Sequence, residues 1–262
     1  MTVGDQLVVS ACLWGLREPP AEAARRLAGI GVDGVDVDPG FTGELSQLAG
    51  AVPVSVKCLA ADHLMPPGGR LGDSKSEAGR IGVEHVRSGI REAAELGTEA
   101  VYVAPPPDNG ASLRDFEESV VLLASEADSA GLRFCIEHVP SFKLSSAAAT
   151  VEFATRTDHP NVYLLIDIGH CLIVGESPAE AIRAAGDRLG YVHVDDNDGK
   201  DDLHLALTDG LFDADDVCEI LRALQESPYD GPVSVEVKND LEDPLAAVEK
   251  TMDVLVSAQR EL

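Results

Sequence analysis

The sequence predicts a single (β/α)8 barrel, α/β in class, spanning residues 1–262. Strand-like aliphatic runs alternate with amphipathic, helix-like segments from end to end, which implies parallel strands joined by right-handed crossovers. Eight such units fit 262 residues at the size of a closed barrel, whose active site is expected at the C-terminal strand ends. The open doubly wound alternative is disfavoured, because the first βα turn, CLWGLREPP, lacks the G-x-G-x-x-G phosphate fingerprint. No linker divides the chain.

The first strand is read at 7–14 (LVVSACLW), followed by the helix PPAEAARRLAGIG. The second and third strands are read at 32–38 and 52–60, and the irregular stretch ADHLMPPGGRLGDSKS (61–76) after the third is expected as a lid on the active face. Then come the helix SEAGRIGVEHVRSGIREAAELG, the strand at 99–105, the helix SLRDFEESVVLLASEADSAG and the strand at 132–139. The strand at 162–168 precedes the helix SPAEAIRAAGDRLG, and the strand at 191–196 precedes DADDVCEILRALQESP. The strand at 232–238 and the helix DPLAAVEKTMDVLVSAQREL close the chain. Ser112, Ser177 and Asp213 are read as helix N-caps, and Gly97, Gly131 and Gly190 as helix ends.

Strand parity then sorts the polar residues. Val233, Val235 and Val237 suit the helix layer, which turns Ser234, Glu236 and Lys238 inward. The same alternation turns Tyr191, His193 and Asp195 inward from Val192 and Val194, Leu165 and Asp167 inward from Leu164 and Ile166, and Cys135 and Glu137 inward from Phe134 and Ile136. Four consecutive strands thus end near Glu137, Asp167, His193 and Glu236. Carboxylates facing a barrel interior are costly unless paired or bound to a cation. Three carboxylates and an imidazole suit one divalent metal ion, Mn2+, Mg2+, Co2+ or Zn2+, without choosing among them.

Further polar groups gather at the same rim. His170 follows Asp167 by three residues, a spacing that lets the strand-end turn bring its imidazole over the site. Asp202 and His204, one residue apart, are read as substrate-binding, as ligands of a further metal, or as part of a solvated acidic loop. The surrounding DDNDGKDDLHLALTDG is not a calcium loop: aligning Gly199 with the loop glycine puts Val194 first and Leu205 last. Lys238 and Lys200 lie after strands eight and seven, where barrels often bind phosphate, and Lys57 faces inward only if Cys58 faces the helices. His63, His85, His138 and His159 are read as structural or exposed.

The formal net charge is -26, from 46 acids spread along the chain against 20 basic residues, of which six are lysines. A uniform negative field repels phosphates and destabilises the compact state at low salt, so nucleic acid is an unlikely partner. It is tolerable where molar salt shortens the Debye length to about 3 Å, which predicts a cytoplasmic protein of a salt-accumulating halophile. The N-terminus has no basic segment before its apolar run, and no stretch approaches the length of a membrane span. Five widely spaced cysteines, mostly in apolar runs, read as core residues of a reducing compartment. A homo-oligomer is compatible with all of this.

The strings GVDGVDV (31–37), CIEH with Glu137, DIGH with Asp167 and His170, HVDDNDGKDDLH with His193, Asp202 and His204, and VSVEVK with Glu236 together resemble the xylose isomerase-like TIM barrel superfamily. It includes sugar phosphate isomerases/epimerases, ketose 3-epimerases, hydroxypyruvate isomerase, inosose dehydratase and the endonuclease IV group. The resemblance covers the whole chain. It implies a metal site of Glu137, Asp167, His193 and Glu236, with Glu137 and Glu236 as the acid/base pair that moves a proton through an enediolate, His170 on a substrate oxygen, and Asp195 orienting His193 or the loop. The partner so implied is a small sugar, sugar phosphate or related hydroxy-carbonyl compound, and the activity an isomerase or epimerase of carbohydrate metabolism.

Departures from the family are specific. Position 199 is Gly where ketose epimerases place an arginine, Asp36 stands where relatives often have Glu, and Thr208-Asp209-Gly210 replaces a Gly-x-Gly pair. The alternatives are a sugar or cyclitol dehydratase, an endonuclease IV-like AP endonuclease and a non-catalytic metabolite-binding barrel. Asp202-Leu203-His204 matches the D-x-H element of such nucleases, yet the fourth strand ends in Ala104-Pro105-Pro106-Pro107 with no histidine.

Overall fold

In the computed structural model, which describes residues 7–43 and 54–262, eight parallel strands pair in chain order and β8 returns to β1, closing the barrel. The strands are β1 (Val9–Cys12), β2 (Gly34–Val37), β3 (Ser55–Ala60), β4 (Ala100–Val103), β5 (Arg133–Glu137), β6 (Val162–Asp167), β7 (Leu189–Val194) and β8 (Val233–Val235). The helices are α1 (Pro20–Gly29), α2 (Glu77–Leu96), α3 (Leu113–Ser129), α4 (Ala147–Thr157), α5 (Ile168–Val174), α6 (Pro178–Ala185), α7 (Ala214–Glu226) and α8 (Pro244–Glu261). Residues 1–6, and 52–53 of the third predicted strand, lie outside the described residues, as does most of the β2–β3 connection. Two helices were not singled out in the sequence, α4 after β5 and the short α5 that starts at the end of β6. Among the described residues no helix is long and apolar enough to cross a membrane.

Strand alternation builds two separate apolar clusters. Val192, Val194, Leu164, Ile166, Phe134, Ile136, Val233, Val235 and Val237 join the large cluster between barrel and helices. Cys58, Ala60, Ala100, Tyr102, Cys135, Leu165 and Tyr191 fill the barrel. Cys58 therefore faces inward, so Lys57 does not, and its Nζ pairs with Glu99 at 2.9 Å. All five cysteines are free and buried, as core residues should be.

Ser112, Ser177 and Asp213 each accept the N–H of the third helical residue, Asp213 in a reciprocal box with Asp216, and satisfy orphan donors of α3, α6 and α7. Gly97 closes α2 in the left-handed conformation. The predicted helix end at Gly190 is corrected: α6 stops at Ala185 with Gly186 after it, and Gly190 lies within β7. A Cβ on Gly190 would stand 2.5 Å from Tyr163 Cβ and 2.7 Å from Cys135 Sγ. Gly190→Val should therefore cost about 1–3 kcal/mol or more by overpacking, read as a lowered denaturant midpoint; an unchanged midpoint would show that the two neighbours yield freely.

The expected lid at 61–76 is anchored. Leu71 is buried in the main core, Gly72 O accepts the Ser119 hydroxyl at 2.5 Å, and His63 O is 2.7 Å from His85 Nε2. Gly79 and Gly82 let the loop backbone lie directly on α2, since a Cβ at either would strike Asp73 or Arg70.

Candidate metal centre

Neighbouring strand ends bring Glu137, Asp167, His193 and Glu236 to one point. Each offers a donor atom, and the four atoms lie within 4.8 Å of one another. Glu137 and Asp167 end β5 and β6, His193 pairs with Asp167 across the β6–β7 ladder, and Glu236 follows β8 with its N–H on Val194 O. All four are buried.

His193 Nδ1 is 2.7 Å from Glu236 Oε2 and 3.6 Å from Glu137 Oε1, yet it makes no aligned hydrogen bond. Asp167 Oδ2 is likewise buried without a partner, while Oδ1 accepts the His170 N–H at 2.8 Å. Burial makes unpartnered donors expensive, and atoms that crowd together without pointing at one another fit ligands aimed at a common cation. The donor set suits a hard or borderline divalent ion.

The electrostatics fit that purpose. Burial, helped by Asp195, pushes the Asp167 carboxyl up to about 7. Burial opposes charge on His193, but Cys12, Glu236 and Asp36 around the ring hold it well above its usual range. Burial also works against the Glu236 carboxylate, and His193, His204 and the indole of Trp14 more than offset it, leaving Glu236 well below the carboxylate range. Beneath the site, Asp36 accepts the Tyr191 hydroxyl at 2.6 Å and the Ser234 hydroxyl at 2.5 Å. Its 3.7 Å separation from His193 Nε2 is too long for a hydrogen bond.

A second cluster borders the first. His170, Asp202 and His204 offer donors within 4.8 Å of one another, as do Asp167, Asp195 and His204. Asp202 Oδ1 is 3.4 Å from His170 Nε2 and 3.1 Å from His204 Nε2. Despite burial, the acids raise the His170 imidazole to about 10. Asp195 lies 2.7 Å from His204 Nδ1 and accepts the Gly169 N–H, so it serves His204 and the loop; the expectation that it orients His193 is not met. His204 is held at a positive φ of 41°, with Asn197 Oδ1 accepting its N–H and that of Leu203. Such backbone strain tends to cluster at functional sites.

Lys238 sits at the rim, where its Nζ donates to Asp202 O and braces this loop. The amides of Thr208, Gly210, Leu211 and Phe212 all donate to the Asp196 carboxylate, so that loop's N–H groups are already engaged. His138 is buried: burial lowers its imidazole to about 3, its Nδ1 has no hydrogen-bond partner among the described residues, and its carbonyl lies 2.8 Å from His170 Nδ1. His85 and His159 lie away from the four donors, bonded to His63 O and the Ser125 hydroxyl.

Sequence reasoning missed the wall facing these acids. Trp14 Nε1 donates to Glu236 Oε1 at 2.7 Å and fixes that carboxylate's orientation. His63, read as structural or exposed, packs edge-on against Trp14 with centroids 5.0 Å apart and pairs with Asp38 at 2.8 Å. Position alone carried a signal, since Trp14, Asp38 and His63 all follow strand ends on the active face.

Known proteins share this fold and parts of the sequence. Over 173 residues the chain is 30% identical to the uncharacterized protein MJ1311 of Methanocaldococcus jannaschii, a match covering 61% of this chain and 58% of that protein. It is 37% identical to a D-psicose 3-epimerase of Ruminiclostridium cellulolyticum over 79 residues, 29% of this chain and 27% of that one. An inosose dehydratase of Lacticaseibacillus casei is 29% identical over 132 residues, 45% and 44% of the two chains. The chain thus spans less than two thirds of the length of each of these relatives. Among solved structures, 3-keto-D-glucoside 4-epimerase YcjR from E. coli superposes with a TM-score of 0.80 at 19% identity, over 96% of this chain and 100% of that one. The IOLI protein with a bound zinc atom gives 0.77 at 15% identity, over 97% and 99%. The family model of the xylose isomerase-like TIM barrel matches residues 24–258. With that match over nearly the whole closed barrel, the chain belongs to the xylose isomerase-like TIM barrel family.

Proposed function

We propose that the protein is a metal-dependent isomerase or epimerase of a sugar, sugar phosphate or related hydroxy-carbonyl compound, moving a proton through an enediolate between Glu137 and Glu236. The observation that carries the reading is the convergence of Glu137, Asp167, His193 and Glu236, with unpartnered Nδ1 and Oδ2 atoms inside the cluster. Glu137, Asp167, His193 and Glu236 would hold a divalent cation, which when bound would supply Lewis acidity towards a carbonyl and its neighbouring hydroxyl. Glu236, kept ionised by His193 and oriented by Trp14, is the base that takes the proton from the intervening C–H. Glu137 carries the proton that it returns to the neighbouring carbon or the opposite face, and Glu236 keeps the one it took, so the two carboxyl groups exchange protonation over a turnover and are reset through solvent. His170, drawn towards its charged form by Asp167 and Asp202, donates to a substrate oxygen. Asp202 and His204 close the site on that side.

Metal analysis and NMR in D2O with a panel of ketoses, aldoses and their phosphates test this: one bound metal per chain and metal-dependent C–H exchange are expected. Similarity to inosose dehydratase and the acidic cluster at His204 favour a second reading, loss of water from a sugar or cyclitol, which would show as a deoxy product. Two metals per chain with nicking of abasic DNA and no sugar exchange would instead assign His170, Asp202 and His204 to a nuclease. No metal and no turnover would leave a binding barrel.

We also infer a cytoplasm of high salt as the working medium, from the charge of -26. Unfolding should then occur at clearly lower temperature in dilute buffer than in molar KCl; equal midpoints would remove this inference.

A further inference from the structure

A cavity of about 370 Å3 opens beside the four-donor site, walled by the loops after β3, β4 and β5. Its position follows from the ladder: Val103 pairs with Ile136, so Ala104, which lines the cavity, stands next to Glu137 on the adjacent strand. The lining is mainly apolar, with Met65, Leu71, Phe142 and a run of prolines, and it carries few polar side chains. One of those has a buried atom without a partner, and another is an exposed guanidinium without an ion pair among the described residues.

Asp62 is the first. Its Oδ2 accepts the Ala104 N–H at 3.0 Å, while Oδ1 is buried with no hydrogen-bond partner. Burial raises this carboxyl to about 6, with Glu137 adding to the effect. An acceptor so placed is completed by a hydroxyl donor.

Arg70 is the second. Its backbone is fixed, because its N–H donates to Ala78 O and Gly82 of α2 lies against its carbonyl. Its guanidinium has no carboxylate or carbonyl partner among the described residues. Elsewhere on the same rim Arg17, Lys143 and Lys238 are taken up by backbone carbonyls. In a chain of charge -26, an arginine left free at the mouth of a cavity that begins beside Glu137 is a ready anion contact.

Resting on the isomerase or epimerase reading, we propose that this cavity is the distal subsite of the active centre. It takes the far end of a polyhydroxy-carbonyl substrate that carries a phosphate or carboxylate, Arg70 binding the anion and Asp62 Oδ1 accepting a hydroxyl. The anion contact thus comes from the loop after β3, on the opposite side from Lys238 and Lys200.

The test compares D-ribulose with D-ribulose 5-phosphate in the metal-loaded protein and in Arg70→Gln, by deuterium exchange. The phosphate ester should be favoured in kcat/KM by roughly tenfold to hundredfold. Arg70→Gln should remove that preference, mainly through KM. A preference that survives the substitution, or an absent preference together with no Arg70-dependent anion binding in the calorimetry, overturns the proposal. Calorimetry with unreactive ribitol 5-phosphate, D-ribonate and ribitol gives a readout independent of turnover. Arg70-dependent binding of the phosphate or of the carboxylate supports the subsite and says which anion it takes, even if no sugar exchanges and the isomerase reading fails. Exchange of sugars with equal binding of all three polyols overturns the subsite and leaves that reading standing.

Discussion

Glu236→Gln should lower metal-dependent C–H exchange by about 10²–10⁴-fold while leaving the fold intact. Gln has nearly the same shape and its oxygen can still accept the Trp14 N–H, so the orienting contact survives. What disappears is the negative charge beside His193 Nδ1 and the capacity to accept a proton. Unchanged circular dichroism with lost exchange is the expected pair of results. Exchange within threefold of wild type would remove Glu236 from the mechanism. Because Glu236 lies only 2.7 Å from Nδ1, the variant should also weaken metal binding, and the loss should persist at saturating metal.

Asp167→Asn should act oppositely on the metal-free and metal-loaded protein. In the metal-free chain Asp167 is buried beside Asp195, and its carboxyl stands near 7 instead of about 3.9 as in an unfolded chain. Between about pH 4 and pH 7 the folded protein therefore holds a proton that the unfolded protein has released. The Asp167 contribution to metal-free stability should fall as pH rises through that window and level off above it, whereas the raised imidazoles of His170 and His193 go on losing stability at higher pH in wild type and variant alike. The Asn variant cannot ionise, so its metal-free stability should be less dependent on pH there and higher at pH 8. With metal present the order reverses: wild type at a hundredfold excess over Kd gains about 2.7 kcal/mol, roughly 5–10 °C in Tm, and the variant gains little. Metal affinity should rise with pH through about 7, because the proton on Asp167 must leave before the carboxylate can bind, and should go on rising above it, because the His193 imidazolium, held well above its usual range, must lose its own. A metal-induced rise in Tm equal in both proteins would remove Asp167 from the metal site.

Most of the barrel was legible because each strand repeats one simple rule. Val233 and Val235 against Ser234, or Leu164 and Ile166 against Leu165 and Asp167, alternate so strictly that facing follows from parity, and the four inward donors follow from facing. Parity also left Lys57 open until Cys58 was seen to fill the barrel. Gly190 misled because it follows a helical pattern, while packing against Tyr163 and Cys135 requires a residue without a side chain inside β7.

The remainder of the site depends on contacts between distant parts of the chain. Trp14 and Glu236 meet only because β8 closes on β1, and Asp195 turns to His204 only because Asn197 folds the loop back. No spacing rule encodes such meetings. The irregular segment at 61–76 likewise suggested a lid, whereas Leu71, Ser119 and the glycines of α2 seat it against the barrel and shape the cavity at Asp62 and Arg70.

The central claim is that four strand-end side chains hold a metal used for proton transfer at a carbon next to a carbonyl. Its most direct test is NMR in D2O of a ketose panel, phosphates included, with protein stripped of metal and then reconstituted with Mn2+, Mg2+, Co2+ or Zn2+. The prediction is deuterium incorporation at the carbon beside the carbonyl with the reconstituted protein and none with the stripped one. Incorporation that ignores the metal, or none from any substrate with any ion, would contradict it.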